Sequence, residues 1–513
     1  MKKKYIAGID VGTTGSKTII FDIEGNMISS GYKEYGCSYP KPGWVEQNPM
    51  DLLDGVYCSC KSAIDSSGID PSEIASVGLS AQRCSVIFID KENKPLKMLS
   101  WQDNRAVDEV KEIRKVIGDE EFYAITGLPN STTWILPKIM WTRKNTPEIW
   151  NKTVKMVQVH DFILKALGAN DYYVDPDDAS FFGFYDTDKF DWHKGMMDTF
   201  DLKPEQFSIP KNSAENAGYV TAEAEKMSGL KQGTPLSIGS GDQNCASIGA
   251  GIVKKGMASV SLGTAGMATA FLDNPYRDPM GFAMVVSHAV YGKWELEGLQ
   301  NGAAGVFRWF RDEIADKQKH DAEKLGEDVY IKLNEMIKDV PAGSKGLVLM
   351  PYFASAGTPR WNSNARGMLM GLTFAHDKSC MARAFMEGIT LEQKDILQSM
   401  KDTGIELSTI RIMGGATKSD LWNQIQADMY NLPVETLKIT DAAVLGAAIC
   451  GAVSVGLFED ISSAAEILVK TDKRYEPNSE TVKVYNEIYD IYVSAYEAFS
   501  KHDVFNKIAK IQK

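Results

Sequence analysis

Asp10-Val11-Gly12-Thr13-Thr14-Gly15-Ser16-Lys17 decides how this chain reads, because its arrangement returns half a chain later as Ser261-Leu262-Gly263-Thr264-Ala265-Gly266. Residues 5–10 alternate apolar and small side chains, the Gly-Thr-Thr-Gly segment turns, and residues 17–22 continue as a β-rich run. Residues 257–262 and 267–272 flank the second Gly-Thr turn in the same way. Period-two patterning on both sides of a glycine-bearing turn predicts a β-hairpin. The separation is far too long for a solenoid. It predicts two similar domains, each opening with a hairpin whose tip carries Gly and Thr.

Working outward, Glu24-Gly25-Asn26 turns toward a third strand at 27–32, and residues 74–79 and 86–90 read as strands. Helical spacing occupies 51–66, 107–117 and 136–144, and an aromatic-rich helix runs over 479–507. Helices alternating with strands imply an α/β architecture. The small, turn-rich stretch IGAGIVKKG at 248–256 sets the expected boundary, giving domains 1–248 and 249–513.

At roughly 150 residues per domain, 513 residues correspond to two to four domains. Hydrophobic residues at 44% and charged residues at 24% fit a soluble globular protein. The net charge of −12 with no long basic block excludes a non-specific nucleic-acid binder, although one positive site could still take a small anion. Seven cysteines without a CxxC pair exclude a disulfide framework or zinc ribbon, and the six histidines show no paired-ligand spacing. The lysine-rich start leads into Asp10 instead of an apolar signal core. Residues 442–458, rich in Ala and Gly and bounded by Asp441 and Glu459, read as a closely packed buried helix rather than a membrane span. A soluble, cytoplasmic protein is expected.

Four stretches carry candidate chemistry. In the first hairpin, glycines let backbone approach a ligand, amides and Thr hydroxyls suit phosphate oxygens, Lys17 adds positive charge, and Asp10 suits a hydrated magnesium ion. An ordinary hairpin turn reads equally well there, until the second Gly263-Thr264 tip is weighed with it. Asp242 in Gly239-Ser240-Gly241-Asp242-Gln243-Asn244 suits a base that accepts a hydroxyl proton in phosphoryl transfer; read alone it fits better as a cap for the following helix, and the two roles can coexist. Gln82, Arg83, Trp101 and Asp103, at the ends of strand-like segments, suit a polyhydroxylated ligand. The plainer alternative there is a salt link between Arg83 or Arg105 and a carboxylate, with Cys84 a small packed residue. Gly414-Gly415-Ala416-Thr417-Lys418-Ser419 ends a β-rich run and opens a helix, a turn on which a base or phosphate can lie. Residues 441–448 read as a packed helix supporting that turn.

Taken in order, these stretches resemble the FGGY family of carbohydrate kinases. The resemblance runs from residue 5 to about 458 and is carried by DVGTTGSK from Asp10, GWVEQNP from Gly43, WQDNR from Trp101, TGLP from Thr126, PKIMW from Pro137 and DPDDAS from Asp175. GSGDQN from Gly239, SLGTAG from Ser261, EGLQNGAAGVFRWFRD from Glu297, ARGMLMGLT from Ala365 and GGATKSDLW from Gly414 complete the ordered set. It implies two actin-like, ribonuclease-H-like domains closing over ATP and a sugar or polyol, the N-terminal one holding the sugar and the base, the C-terminal one the nucleotide. By position, it implies Asp242 as catalytic base and Asp10 as the residue associated with Mg2+. Gly12, Thr13, Thr14 and Lys17 fall on the first phosphate loop, Gly263 and Thr264 on the second, and Gly414, Gly415, Ala416 and Ser419 at the adenosine end. Gln82, Arg83, Trp101 and Asp103 fall where members hold the acceptor. Arg83-Cys84 departs from the Met-His pair of xylulokinases and from the Arg-Glu pair of glycerol kinases. Most of the chain reads closer to the xylulokinase-like branch, so a pentulose such as D-xylulose leads as substrate. A glycerol or polyol kinase comes second, and an autoinducer kinase third. A non-catalytic nucleotide switch on the same fold is the reading from a different class. No membrane or nucleic-acid partner is expected, and a homodimer is an arrangement the resemblance allows.

Overall fold

The structure is a computed structural model that describes residues 4–278, 281 and 283–512, so of the opening lysine run only Lys4 is included. The chain packs into two compact units. The first comprises the chain up to Lys254 with Phe271–Leu296 and Asp441–Lys470; the second comprises Lys255–Ala270, Glu297–Thr440 and the chain from Thr471 on. The units are interleaved along the chain, whereas the sequence reading places a single cut at 248/249.

In the first unit, strand Tyr5–Val11 pairs antiparallel with Gly15–Asp22, which continues to Met27–Glu34. On its other side it runs parallel to Ile74–Ala81, and the sheet goes on through Pro235–Ser237 to Asn216–Tyr219. The short strand Ser240–Gly241 also lies parallel to Ile74–Ala81, with Ser240 opposite Ser80. Alternate residues of a strand face opposite sides. Ala7, Ile9 and Val11 accordingly join Leu52, Val56 and Cys60 of helix Pro49–Ser67 in one apolar core.

The opposite face explains the interleaving. Gly8 and Gly78 stand side by side in register, and a Cβ on either would lie 2.0 Å from the Val444 carbonyl oxygen or 1.7 Å from that of Ala447. Two missing side chains thus let helix Ala442–Ser454 lie directly on the sheet. Helix Asp242–Gly249 presses on it from the side, with Cβ positions at Gly249 and Gly446 each 1.9 Å from a carbonyl oxygen. The apolar run near residue 450 is therefore the buried helix anticipated. It covers the first sheet, where the sequence reading assigned it to supporting the Gly414 turn. Among the described residues, no helix is long and apolar enough to cross a membrane.

The second unit repeats the opening. Strand Met257–Leu262 pairs antiparallel with Gly266–Leu272 and parallel with Thr409–Met413, Ser261 facing Met413. Val434–Leu437 and Thr471–Tyr475 extend this sheet. The 25-residue helix Lys378–Asp402 is buried along most of its length. The C-terminal helix is two helices, Ser479–Lys501 and Val504–Ile511, because Asp503 adopts a left-handed φ of 60° between them.

Candidate active site

Three parallel strands bring Asp10, Ser80 and Ser240 abreast at their C-terminal ends, and Asp242 follows at the head of its helix. The Ser80 hydroxyl donates to Asp10 Oδ1 at 2.7 Å. Burial, then the charges of Asp242 and Asp441, push the Asp10 carboxyl from its ordinary 3.8 up to about 7. Lys17, directly opposite Asp10 across the hairpin, reaches Asp441 instead, its Nζ 2.6 Å from Oδ1. Three carboxylates thus influence one another beside one lysine.

The Asp242 side chain is about a third exposed; its Oδ1 accepts the Gln243 amide at 2.8 Å and lies 3.5 Å from Arg83 Nε. Arg83 is buried, donates to Asp177 Oδ1 at 2.9 Å, and stacks with its guanidinium carbon 4.4 Å from the Phe181 ring centre. Gly241 makes room for this arrangement, since a Cβ there would stand 2.4 Å from both Arg83 Cδ and Asp177 Oδ2. The loop holding Arg83 is pinned at Cys84, whose φ is 63°, whose amide donates to Gln158 Oε1 and whose carbonyl accepts from the buried Lys138 ammonium. Burial pushes the Cys84 thiol far up, so this residue packs rather than attacks.

At the first hairpin tip, the Gly12 carbonyl accepts from the Tyr35 hydroxyl at 2.7 Å, and the Thr13 carbonyl from Gln47 Nε2 at 2.9 Å. Gln82, almost wholly enclosed, donates to Gln47 Oε1 at 3.0 Å and so braces the tip. The Trp101 indole N–H donates to the Thr13 hydroxyl at 2.9 Å, leaving the ring partly exposed. Asp103 differs from the sequence expectation. It is fully enclosed, accepts from Arg105 through both carboxylate oxygens and takes the Val45 amide at 2.6 Å. The plainer alternative, a salt link, describes what it contacts here: its oxygens accept from the Val45 amide and from Arg105.

In the second unit, the hairpin tip closes with Gly263 N–H donating to the Ala265 carbonyl. The Thr264 carbonyl accepts the Ala303 amide, and its hydroxyl accepts from Arg308 at 3.2 Å. Gly414 has φ 90°, and a Cβ there would meet the Leu262 carbonyl oxygen at 2.5 Å, so this turn is pressed against the hairpin strand. Gly415, Ala416 and Ser419 line a cavity of about 420 Å³ walled by Phe307, Tyr330 and Trp422. Ser419 caps helix Asp420–Tyr430 by accepting the Trp422 amide, while its hydroxyl donates to Asn334 at 2.8 Å. An aromatic-walled cavity beside a glycine turn is chemically compatible with a nucleobase.

Residues 5–249 match the FGGY family of carbohydrate kinases, N-terminal domain, and residues 258–455 match the same family's C-terminal domain. The chain belongs to the FGGY family of carbohydrate kinases. It is an ATP-dependent carbohydrate kinase with the two-domain, actin-like fold of that family. It is 28% identical to a xylulose kinase of Staphylococcus epidermidis over 97% of both chains. It is 28% identical to a gluconokinase of Bacillus subtilis, covering 96% of this chain and 95% of that one, and 29% identical to an autoinducer-2 kinase of Escherichia coli, covering 96% and 94%. Among solved structures, ligand-bound xylulose kinase from Lactobacillus acidophilus superposes with a TM-score of 0.88 at 26% identity, covering 97% of this chain and 98% of that one. Plasmodium falciparum glycerol kinase with ADP gives 0.84 at 24% identity, covering 96% and 98%, a likeness of fold.

Several groups of this FGGY kinase's site escaped the sequence reading. Asp177 lies inside the DPDDAS stretch, yet nothing there announces that it holds Arg83. Asp441 marked only a helix start, and Arg308 and Asn334 sit on helices remote in sequence from the residues they touch. Gly12, Thr13 and Lys17 lie on one hairpin, and Gly415, Ala416 and Ser419 of the Gly-Gly turn line a cavity.

Proposed function

We propose that this kinase transfers the γ-phosphoryl group of ATP to a primary hydroxyl of a small uncharged sugar, a pentulose such as D-xylulose in first place, with Asp242 as general base. The observation that carries the reading is the position of Asp242: at the head of a helix, partly open, fixed by the Gln243 amide and by Arg83. A carboxylate so held can orient the acceptor hydroxyl and take its proton as the oxygen attacks in line. Arg83 already faces two carboxylates, Asp177 and Asp242, so this corner carries no surplus positive charge for a substrate carboxylate. That favours a neutral ketose over an aldonate, although relatives of equal identity bear both names. The exposed Trp101 face would cover the sugar's apolar side. Gln82 and Asp103 would serve the pocket from behind, by bracing the hairpin tip and Arg105.

The first unit would thus hold the acceptor and the base. Gly12, Thr13, Thr14 and Lys17, together with Gly263 and Thr264, would bind phosphate oxygens, and Gly414, Gly415, Ala416 and Ser419 the adenosine end. The gathered carboxylates of Asp10, Asp242 and Asp441, with Lys17 spent on one of them, fit a divalent cation. Asp10 would hold magnesium, which when bound offsets the charge of the phosphate chain. The work of such an enzyme belongs in the cytoplasm, where ATP and small sugars meet.

The test is acceptor-dependent ADP release across pentuloses, hexuloses, aldonates and polyols, alongside Asp242→Asn. Turnover on a pentulose, reduced about 10²–10⁴-fold in the variant while ATP still binds, is expected. A preferred aldonate would refute the charge argument at Arg83. ATP binding without any acceptor-dependent turnover would favour the switch.

A further inference from the structure

Behind the Arg83–Asp177 pair lies a cluster that the phosphoryl-transfer reading does not use. His160, Asp175 and Asp178 are all completely enclosed, and a ligand atom from each falls within 4.8 Å of the others. His160 Nε2 sits 2.5 Å from the Ile238 carbonyl oxygen. A carbonyl only accepts, so Nε2 carries the hydrogen and Nδ1 is turned toward the carboxylates. It lies 3.4 Å from Asp161 Oδ1 and 3.9 Å from Asp178 Oδ2. Asp175 Oδ2 accepts from the Ser240 hydroxyl at 2.6 Å and the Asp177 amide at 3.0 Å.

Asp178 is the decisive member. Among the described residues neither of its carboxylate oxygens accepts from an N–H or a hydroxyl donor, although the side chain is wholly buried; it faces the Asp175 carboxyl and, at 3.9 Å, His160 Nδ1. The guanidinium nearby, on Arg83, already faces Asp177 and Asp242. A buried carboxylate without a donor is costly unless a cation or proton meets it.

We propose that His160 Nδ1, Asp175 and Asp178 bind a divalent transition-metal ion, zinc in first place, at a structural site separate from the nucleotide's magnesium. One imidazole nitrogen with carboxylate oxygens suits zinc or manganese. Complete enclosure disfavours magnesium, which keeps several waters. The hydrogen bond from Nε2 to the Ile238 carbonyl is the outer-sphere contact that fixes a ligating histidine's tautomer. Through the Ser240 hydroxyl on Asp175, the ion would anchor the strand Ser240–Gly241 that leads directly into Asp242.

The experiment is elemental analysis by plasma mass spectrometry on the full chain, expressed with added zinc and manganese and gel-filtered in chelator. One metal ion per chain is expected, retained in Asp242→Asn and reduced about tenfold or more in Asp178→Asn. Metal-free folded wild type would overturn the proposal and leave protons balancing the cluster. Undiminished metal in Asp178→Asn would also overturn it, by assigning the ion elsewhere. Should that variant fail to fold, crystals of the wild type decide. An anomalous-difference peak at the metal's absorption edge is expected between the three side chains, and its absence there overturns the site.

Discussion

Replacing Gly78 by alanine should push helix Ala442–Ser454 off the first sheet. The added Cβ would stand 1.7 Å from the Ala447 carbonyl oxygen, 2.5 Å from its carbon and 3.2 Å from the Gly451 nitrogen. All three are backbone atoms, so no rotamer change relieves the overlap. Ordinary contact begins near 3.4 Å, which requires strand and helix to part by about 1.7 Å in a close-packed interior. Overpacking typically costs about 1–3 kcal/mol, and backbone-on-backbone conflict belongs at the upper end. At about 2–4 °C per kcal/mol, the Tm should fall by roughly 5–10 °C. The same helix begins at Asp441, so the ion pair with Lys17 should loosen and the KM for ATP rise alongside. Differential scanning fluorimetry and steady-state kinetics read both effects. Gly36→Ala is the control, since a Cβ there meets nothing within 4 Å. A Gly78→Ala protein melting within about 1 °C of wild type would refute the close approach.

Asp103→Asn should cost about 3 kcal/mol in urea unfolding, because it removes the main counter-charge of an enclosed guanidinium; a raised sugar KM at full stability would instead make Asp103 a ligand. Burial pushes the Glu392 carboxyl from 4.5 up to about 8, so between those pH values the folded chain keeps a proton that the unfolded chain releases. Stability therefore falls as pH rises through that window, by up to about 5 kcal/mol, and Glu392→Gln should match wild type below pH 4.5 yet melt higher at pH 8. A pH-independent difference in Tm would contradict this. Lys17→Met breaks a pair that is one-third exposed on each side, so the melting temperature should shift by no more than about 1 kcal/mol would produce, while the KM for ATP rises severalfold. Equal loss of stability and activity would make Lys17 a structural residue.

The hairpins were legible because a glycine turn between period-two strands is a local signal, and the Gly-Thr echo doubled it. The position of Asp242 at a strand end was legible for a similar reason, from the run of small residues around it. What escaped depends on distance along the chain. Lys17 and Asp441 are 424 positions apart, and no periodicity connects them. Residues 442–454 declared themselves a buried helix through composition, but composition does not say which sheet a helix covers; Gly8 and Gly78 do, once they are known to be neighbours. Asp103 was read beside Trp101 as an acceptor contact, and its partner two residues on, Arg105, was legible only as the plainer salt-link alternative. Paired spacing does not reveal His160, whose neighbouring carboxylates stand at 175 and 178.

The return of Asp441–Lys470 to the first unit has a bearing on biosynthesis. Strands Tyr5–Val11 and Ile74–Ala81 leave the ribosome several hundred residues before the helix that roofs their glycine-bearing face. At about 5–20 residues per second, that face waits on the order of half a minute for its cover. During vectorial synthesis the first unit is therefore an unfinished shell, a natural client for a holding chaperone. A fragment ending at residue 249 would stay in that state permanently, and splitting this gene between the halves should yield aggregates rather than a working pair.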